Sequence, residues 1–175
     1  MIDCGANVGL YTAVMARSGA TVHAFEPDPV AFATLERKFA NTANVTLHNA
    51  AASDHDGHAK LYFHADRATD PVALSQSSSL DARKTNVDEQ SYSEVALVDF
   101  AAFVGQVGRV KLLKMDVEGH EIEIINHLID QDRVSGIEQA FVELHDLKNP
   151  ALKPATDALR RRISSLSLPF DLTWH

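Results

Sequence analysis

The chain has 175 residues, enough for one domain with a sheet-sized buried core, and its 45% hydrophobic content excludes a disordered polymer. Its one cysteine, Cys4, excludes a disulfide framework within the chain and leads us to expect a reducing, cytoplasmic setting. A net charge of −8 argues against nucleic acid as a partner, and no apolar run is long enough to make a membrane one.

Apolar, β-rich runs alternate with segments of helical period, the pattern of βαβ units around a parallel sheet. A short strand is expected over residues 1–4, then a turn entering a helix over 6–18, then a second strand over 21–25. Asp28 is a good helix cap and Pro29 fits a first helical position. Phe32, Leu35 and Phe39 follow at helical spacing, so a helix should run to about residue 40. Residues 45–48 read as the third strand. Residues 60–64 and 95–98 are weaker strand candidates. Between them lies a polar stretch with Ser75, Gln76, Ser77, Ser78 and Ser79, expected to be a mobile lid or an acceptor-binding loop. A strongly apolar strand is expected over 110–115, followed by a helix with Ile122, Ile125 and Ile129 on one face. A strand over 140–144, a helix over 154–166 with Leu159, Ile163 and Leu166 inward, and a final strand from residue 170 complete the pattern. No repeat or linker interrupts it, so residues 1–175 read as one domain. Both ends are abrupt for this architecture: a longer lead-in to the first strand and a C-terminal edge hairpin are expected to be missing, and no export leader is recognised.

The first βα turn reads Asp3-Cys4-Gly5-Ala6-Asn7-Val8-Gly9. Glycines there allow a tight turn and a close approach of backbone to ligand. Glu26, about 20 positions on at the tip of the second strand, suits the two hydroxyls of a ribose. After the third strand, Ala50, Ala51 and Ala52 suit an adenine slot, and Ala51 stands for that wall. The spacing is not the G-x-G-x-x-G of dinucleotide sites, where a pyrophosphate needs close backbone N–H groups. An acidic residue at the turn, Asp3, instead suits an ammonium, as in the amino-acid end of S-adenosyl-L-methionine.

Three blocks together resemble the FkbM-type methyltransferases: residues 3–12 (DCGANVGLYT), Ala24-Phe25-Glu26-Pro27, and residues 113–121 (LKMDVEGHE). The serines 77–79 with Leu80 resemble that family's serine-rich middle segment. The resemblance runs from Asp3 to about His145. It implies a doubly wound, Rossmann-like class I methyltransferase sheet, mostly parallel with helices on both faces. It also implies O-methylation, with S-adenosyl-L-methionine as donor and S-adenosyl-L-homocysteine as product, on a hydroxyl of a sugar or natural-product-like small molecule. By matched position Asp3, Gly5, Asn7, Gly9 and Glu26 carry over as cofactor residues, and Asp116 and Glu118 as residues at the mouth of the site. Two rivals stand beside this reading: a nicotinamide-dependent Rossmann oxidoreductase, and a binding domain that kept the donor site and lost the reaction.

Ligands of such sheets bind beyond the carboxyl ends of the strands. With the strand order 3-2-1-4-5, Asp116 ends the fourth strand and Glu143 and His145 end the fifth. An alcohol acceptor must lose a proton, so Asp116, Glu118, Glu143 and His145 are the catalytic candidates. Asp116, Glu143 and His145 also have the donor types for a divalent ion, but no dense His or Cys motif supports one, and no metal is assigned. Lys114 shares a strand face with Asp116 and should be buried and paired, with Glu143 the preferred partner over Asp3.

Overall fold

The computed structural model of the chain describes residues 1–81 and 86–174. Six of the described strands form one sheet: β1 (Ile2–Cys4), β2 (Val22–Phe25), β3 (Val45–His48), β7 (Leu113–Met115), β8 (Ala140–Val142) and β9 (Phe170–Asp171). Their order is β3-β2-β1-β7-β8-β9 and every pairing is parallel. A second sheet holds β4 (Ala51–Ser53), β5 (Gly57–His64) and β6 (Val87–Asp99), with β5 and β6 antiparallel.

Helices α1 (Leu10–Ala16), α2 (Pro29–Phe39), α3 (Phe100–Val107), α4 (Glu121–Asp130) and α5 (Lys153–Ser165) cover the main sheet. Side chains alternate along a strand, so Ile2, Cys4, Leu113 and Met115 look one way while Asp3 and Lys114 look the other. The first group joins Phe100, Val104, Ile125, Leu128, Leu159 and Ile163 in the larger apolar cluster, which places α3, α4 and α5 on that face. On the other face Ala24 packs with Leu35 and Phe39 of α2, and Thr12 of α1 bonds Asp3.

The caps are local and legible. Asp28 is the N-cap of α2, accepting from the N–H groups of Val30 (2.9 Å) and Ala31 (3.3 Å), with Pro29 at the first helical position. Two elements escape the sequence reading. Helix α3 is short and contains Gly105; it is fixed by its Asp99 cap and by burial of Phe100, Ala101 and Val104. Strand β4 lies where small residues suggested only a ligand slot. Leu166, expected inward, is the C-cap of α5 and is 52% exposed, because the helix ends one residue earlier. No helix among the described residues is long and apolar enough to cross a membrane.

The parallel register brings four carboxyl ends to one edge of the sheet. Asp3 lies opposite both Ala24 and Lys114, and Lys114 lies opposite Phe141. The turns beginning at Gly5, Glu26, Asp116 and Glu143 therefore face a common space, at the place where the strand order reverses.

Candidate active site

Gly5 has a φ of +73°, and a Cβ there would lie 1.8 Å from the carbonyl oxygen of Asp116. No side chain fits between these two strand ends. Gly9, at φ +74°, has a different reason: a Cβ would press on Phe39 and Leu35, at 2.5 and 2.6 Å. Its bareness admits helix α2 and does not shape the cavity wall. Asn7 holds a left-handed backbone at φ 48°. Its N–H donates to Glu26 Oε2 (2.7 Å), and its side-chain amide donates to Ser75 Oγ (2.8 Å).

Glu26 is 5% exposed, and its other oxygen accepts the N–H of Asp28 at 2.8 Å. Burial pushes its pKa up to about 7, against the pull of those two backbone bonds. It faces a cavity at the carboxyl ends of the strands. Gly5, Asn7 and Asp116 line one side; Ala50, Ala51, Ala52 and Leu61 line the other.

Ser75, Ser78 and Ser79 also line this cavity and are buried. The segment is a wall bonded at each serine. Ser75 holds Asn7, Ser78 donates to Asp28 Oδ2 (3.0 Å), and Ser79 donates to the Glu118 carbonyl (3.1 Å). Arg67 pairs with the buried Asp28 carboxylate and lies over the Phe63 ring, 3.7 Å from its centroid. Asp28 thus ties helix α2 to the cavity wall, a role that its capping position does not advertise.

Asp3 does not reach the cavity. It is fully buried, with Oδ2 accepting the Thr12 hydroxyl at 2.6 Å and Oδ1 3.3 Å from Lys114 Nζ. Lys114 is buried and paired, as its strand position required, but its partner is Asp3. Glu143 is engaged by Lys148 at 2.8 Å, which leaves Asp3 as the neighbouring carboxylate nearest to Lys114. The ammonium also donates to the Gly5 carbonyl (2.6 Å) and lies 3.7 Å from Asp116 Oδ2. Lys114 therefore clamps the glycine turn to strand β7, and Asp3 acts on the turn through it. The buried Cys4 thiol is pushed well up, first by burial and then by Asp3, which suits a packing residue.

Asp116, Glu118, Glu143 and His145 do converge. From His145 Nε2 the distances are 3.6 Å to Asp116 Oδ1, 3.5 Å to Glu118 Oε2 and 3.8 Å to Glu143 Oε1. His145 is 2% exposed and its Nε2 has no hydrogen-bond partner. Its Nδ1 lies 3.2 Å from Glu121 Oε1, which also accepts the His145 N–H. Burial disfavours the imidazolium, but the Glu121 bond and the charges of Glu121, Glu118 and Asp116 outweigh it and raise the pKa. Asp116 is raised by burial, with Lys114 opposing. Burial would raise Glu143 as well, but its bond to Lys148 wins and lowers it. Glu118 has a left-handed backbone at φ 56° and lines both the cavity that Glu26 faces and a smaller second one. Ser79, Asp81, His145, Lys148 and Asn149 stand in the walls of that smaller cavity, together with Gly119 and Leu152.

Glu121 was not among the candidates. It is fully buried, and its second oxygen accepts the Gly119 N–H at 2.9 Å. It stands in the first turn of α4. A carboxylate three residues before Ile124 and four before Ile125, hence on their buried helix face, was the available signal.

A profile described as "Methyltransferase FkbM domain" matches residues 3–167. The chain belongs to this family. It is 29% identical over 163 residues to "Methyltransferase 1" of Beauveria bassiana (strain ARSEF 2860), covering 85% of this chain and 65% of that protein. It is 31% identical over 178 positions to "31-O-demethyl-FK506 methyltransferase FkbM" of Streptomyces tacrolimicus, covering 84% and 65%. The chain thus spans just under two thirds of the length of these relatives. A solved structure, methyltransferase FkbM from Methylobacillus flagellatus KT, aligns with a TM-score of 0.45 at 17% identity, over 75% of this chain and 29% of that one.

Proposed function

We propose that this chain is the catalytic core of an S-adenosylmethionine-dependent O-methyltransferase acting on a hydroxyl of a sugar or similar small, oxygen-rich molecule. The observation that carries the reading is Glu26: a buried carboxylate in a cavity wall with only two backbone donors, short of what its burial demands. Two ribose hydroxyls would complete its shell. Gly5 and Asn7 would hold the donor's amino-acid end, and Ala50, Ala51, Ala52 and Leu61 would flank its base. The donor site fits a sulfonium nucleoside better than a dinucleotide, because no first-turn residue of α1 lines the cavity and a pyrophosphate needs those N–H groups.

When bound, S-adenosylmethionine supplies an electrophilic methyl group to an acceptor oxygen. The residues of this chain position that oxygen and remove its proton. Asp116 faces the donor cavity with a pKa raised by burial, so it is the group placed to accept the proton. Glu118 and the polar side chains in the wall of the second cavity, Ser79, Lys148 and Asn149, would orient a hydroxylated acceptor. The family relative named for 31-O-demethyl-FK506 is consistent with an oxygen acceptor.

The test has two stages. S-adenosylhomocysteine should raise Tm while NAD leaves it unchanged. Methyl transfer to a panel of sugars and phenols should then yield S-adenosylhomocysteine, and Asp116→Asn should lower kcat by roughly 10²–10⁴-fold with little change in donor binding. Stabilisation by NAD alone would overturn the donor assignment, and donor binding without turnover on any hydroxyl would overturn the reaction.

A further inference from the structure

We propose that Asp116, Glu118 and His145 hold a divalent cation of the Mg²⁺ and Mn²⁺ class, at the partition between the two cavities. One ligand atom from each of the three lies within 4.8 Å of the others. Two ligands about 2.1 Å from one ion stand roughly 3–3.5 Å apart at octahedral to tetrahedral angles. The imidazole-to-carboxylate spacings here are 3.5 and 3.6 Å, so small side-chain adjustments close the site.

A cluster of carboxylates alone would not make this argument. The independent observation is His145 Nε2, buried, without a hydrogen-bond partner, and aimed at the carboxylates. The other ring nitrogen faces Glu121, a fully buried carboxylate itself fixed by the Gly119 N–H. A histidine that donates from one nitrogen to a carboxylate presents a lone pair on the other, the arrangement that orients metal-bound histidines. Charge points the same way. Asp116, Glu118, Glu121 and Glu143 bring four negative charges, Lys148 returns one, and Lys114 is shared with Asp3, so negative charge remains for a dication to offset when His145 is neutral. Lys148 holds Glu143 at 2.8 Å, which leaves it beside the site and outside the ligand set.

The donor types, two oxygens and one nitrogen, suit a redox-silent ion that keeps open positions. Resting on the methyl-transfer reading, those positions would take the acceptor's oxygen, and the cation would lower the pKa of that hydroxyl. Without a cation, the same cluster would hold a proton on His145 instead, and the experiment separates the two.

Mn²⁺ titrated into the purified chain without cofactor, followed by electron paramagnetic resonance, should show one ion bound with Kd of roughly 10–100 µM. Mg²⁺ should displace it. Glu118→Gln and Asp116→Asn should each weaken Mn²⁺ by roughly 10–100-fold, and Glu121→Gln, which touches no ion, by a similar factor. Glu138→Gln, on a distant exposed carboxylate, should change nothing. Circular dichroism and Tm identify variants that keep the fold. No Mn²⁺ bound at about 1 mM, or unchanged binding in folded Glu118→Gln and Asp116→Asn, overturns the site. Cation binding needs no methyl donor, so its loss with S-adenosylhomocysteine binding intact would sink this inference alone, and the reverse would sink only the methyl-transfer reading.

Discussion

Glu26 meets two opposed demands, burial in the fold and, on the proposed reading, charge for a ligand. Its folded pKa of about 7 lies above the ordinary 4.5. The folded state therefore holds a proton that the unfolded chain releases between those values. Stability from this group is greatest below pH 4.5, falls as pH rises to about 7, and is level above, by about 3 kcal/mol in total. Glu26→Gln should flatten that slope in urea unfolding measured across pH 5–8; a slope unchanged by the substitution would remove Glu26 as its source. Lys114 and Asp3 make the complementary case. Lys114→Met would leave the fully buried Asp3 without its cation, at a cost of roughly 3–5 kcal/mol. Adding Asp3→Asn should restore much of it, and additive losses in the double variant would contradict the coupling. Since Lys114 also holds the Gly5 carbonyl, donor affinity should fall with the single variant.

Among the elements, the glycine turn leaves the least freedom. Gly5→Ala sets a methyl group 1.8 Å from the Asp116 carbonyl and demands left-handed backbone of an alanine. The strand ends must part, and a Tm loss of more than about 10 °C, or failure to fold, is expected. Gly9→Ala meets only side chains of Leu35 and Phe39, so its loss should be smaller. A thermal melt that ranks the two in the opposite order would contradict the packing account. The same elements mark what the sequence made legible. Helix α2 could be read from Asp28, Pro29 and its apolar spacing because cap and periodicity are local signals. Glu26 could be placed in the cavity wall because that position depends on a strand end. Asp3 could not, because its burial depends on Thr12 of a helix and Lys114 of a strand more than a hundred residues away. Likewise the serines looked like a loose loop by composition, whereas their bonds run to Asn7, Asp28 and Glu118 across the chain.

At the scale of the molecule, the parallel sheet places the glycine turn, Glu26 and Asp116 around one cavity, with His145 and Glu118 between it and a second. Donor and acceptor would then meet over strands β1 and β7, where the strand order reverses. This division of labour has a direct consequence: disturbing Glu26 should affect the donor and leave the acceptor side unaltered. Isothermal calorimetry of S-adenosylhomocysteine at pH 8, on the native chain and on a folded Glu26→Ala variant, tests it. The account predicts saturable one-to-one binding to the native chain and a loss of roughly 100-fold in the variant, the worth of two charge-assisted hydrogen bonds at about 1.5 kcal/mol each. Equal affinity in the two proteins, or no binding to either, would contradict it.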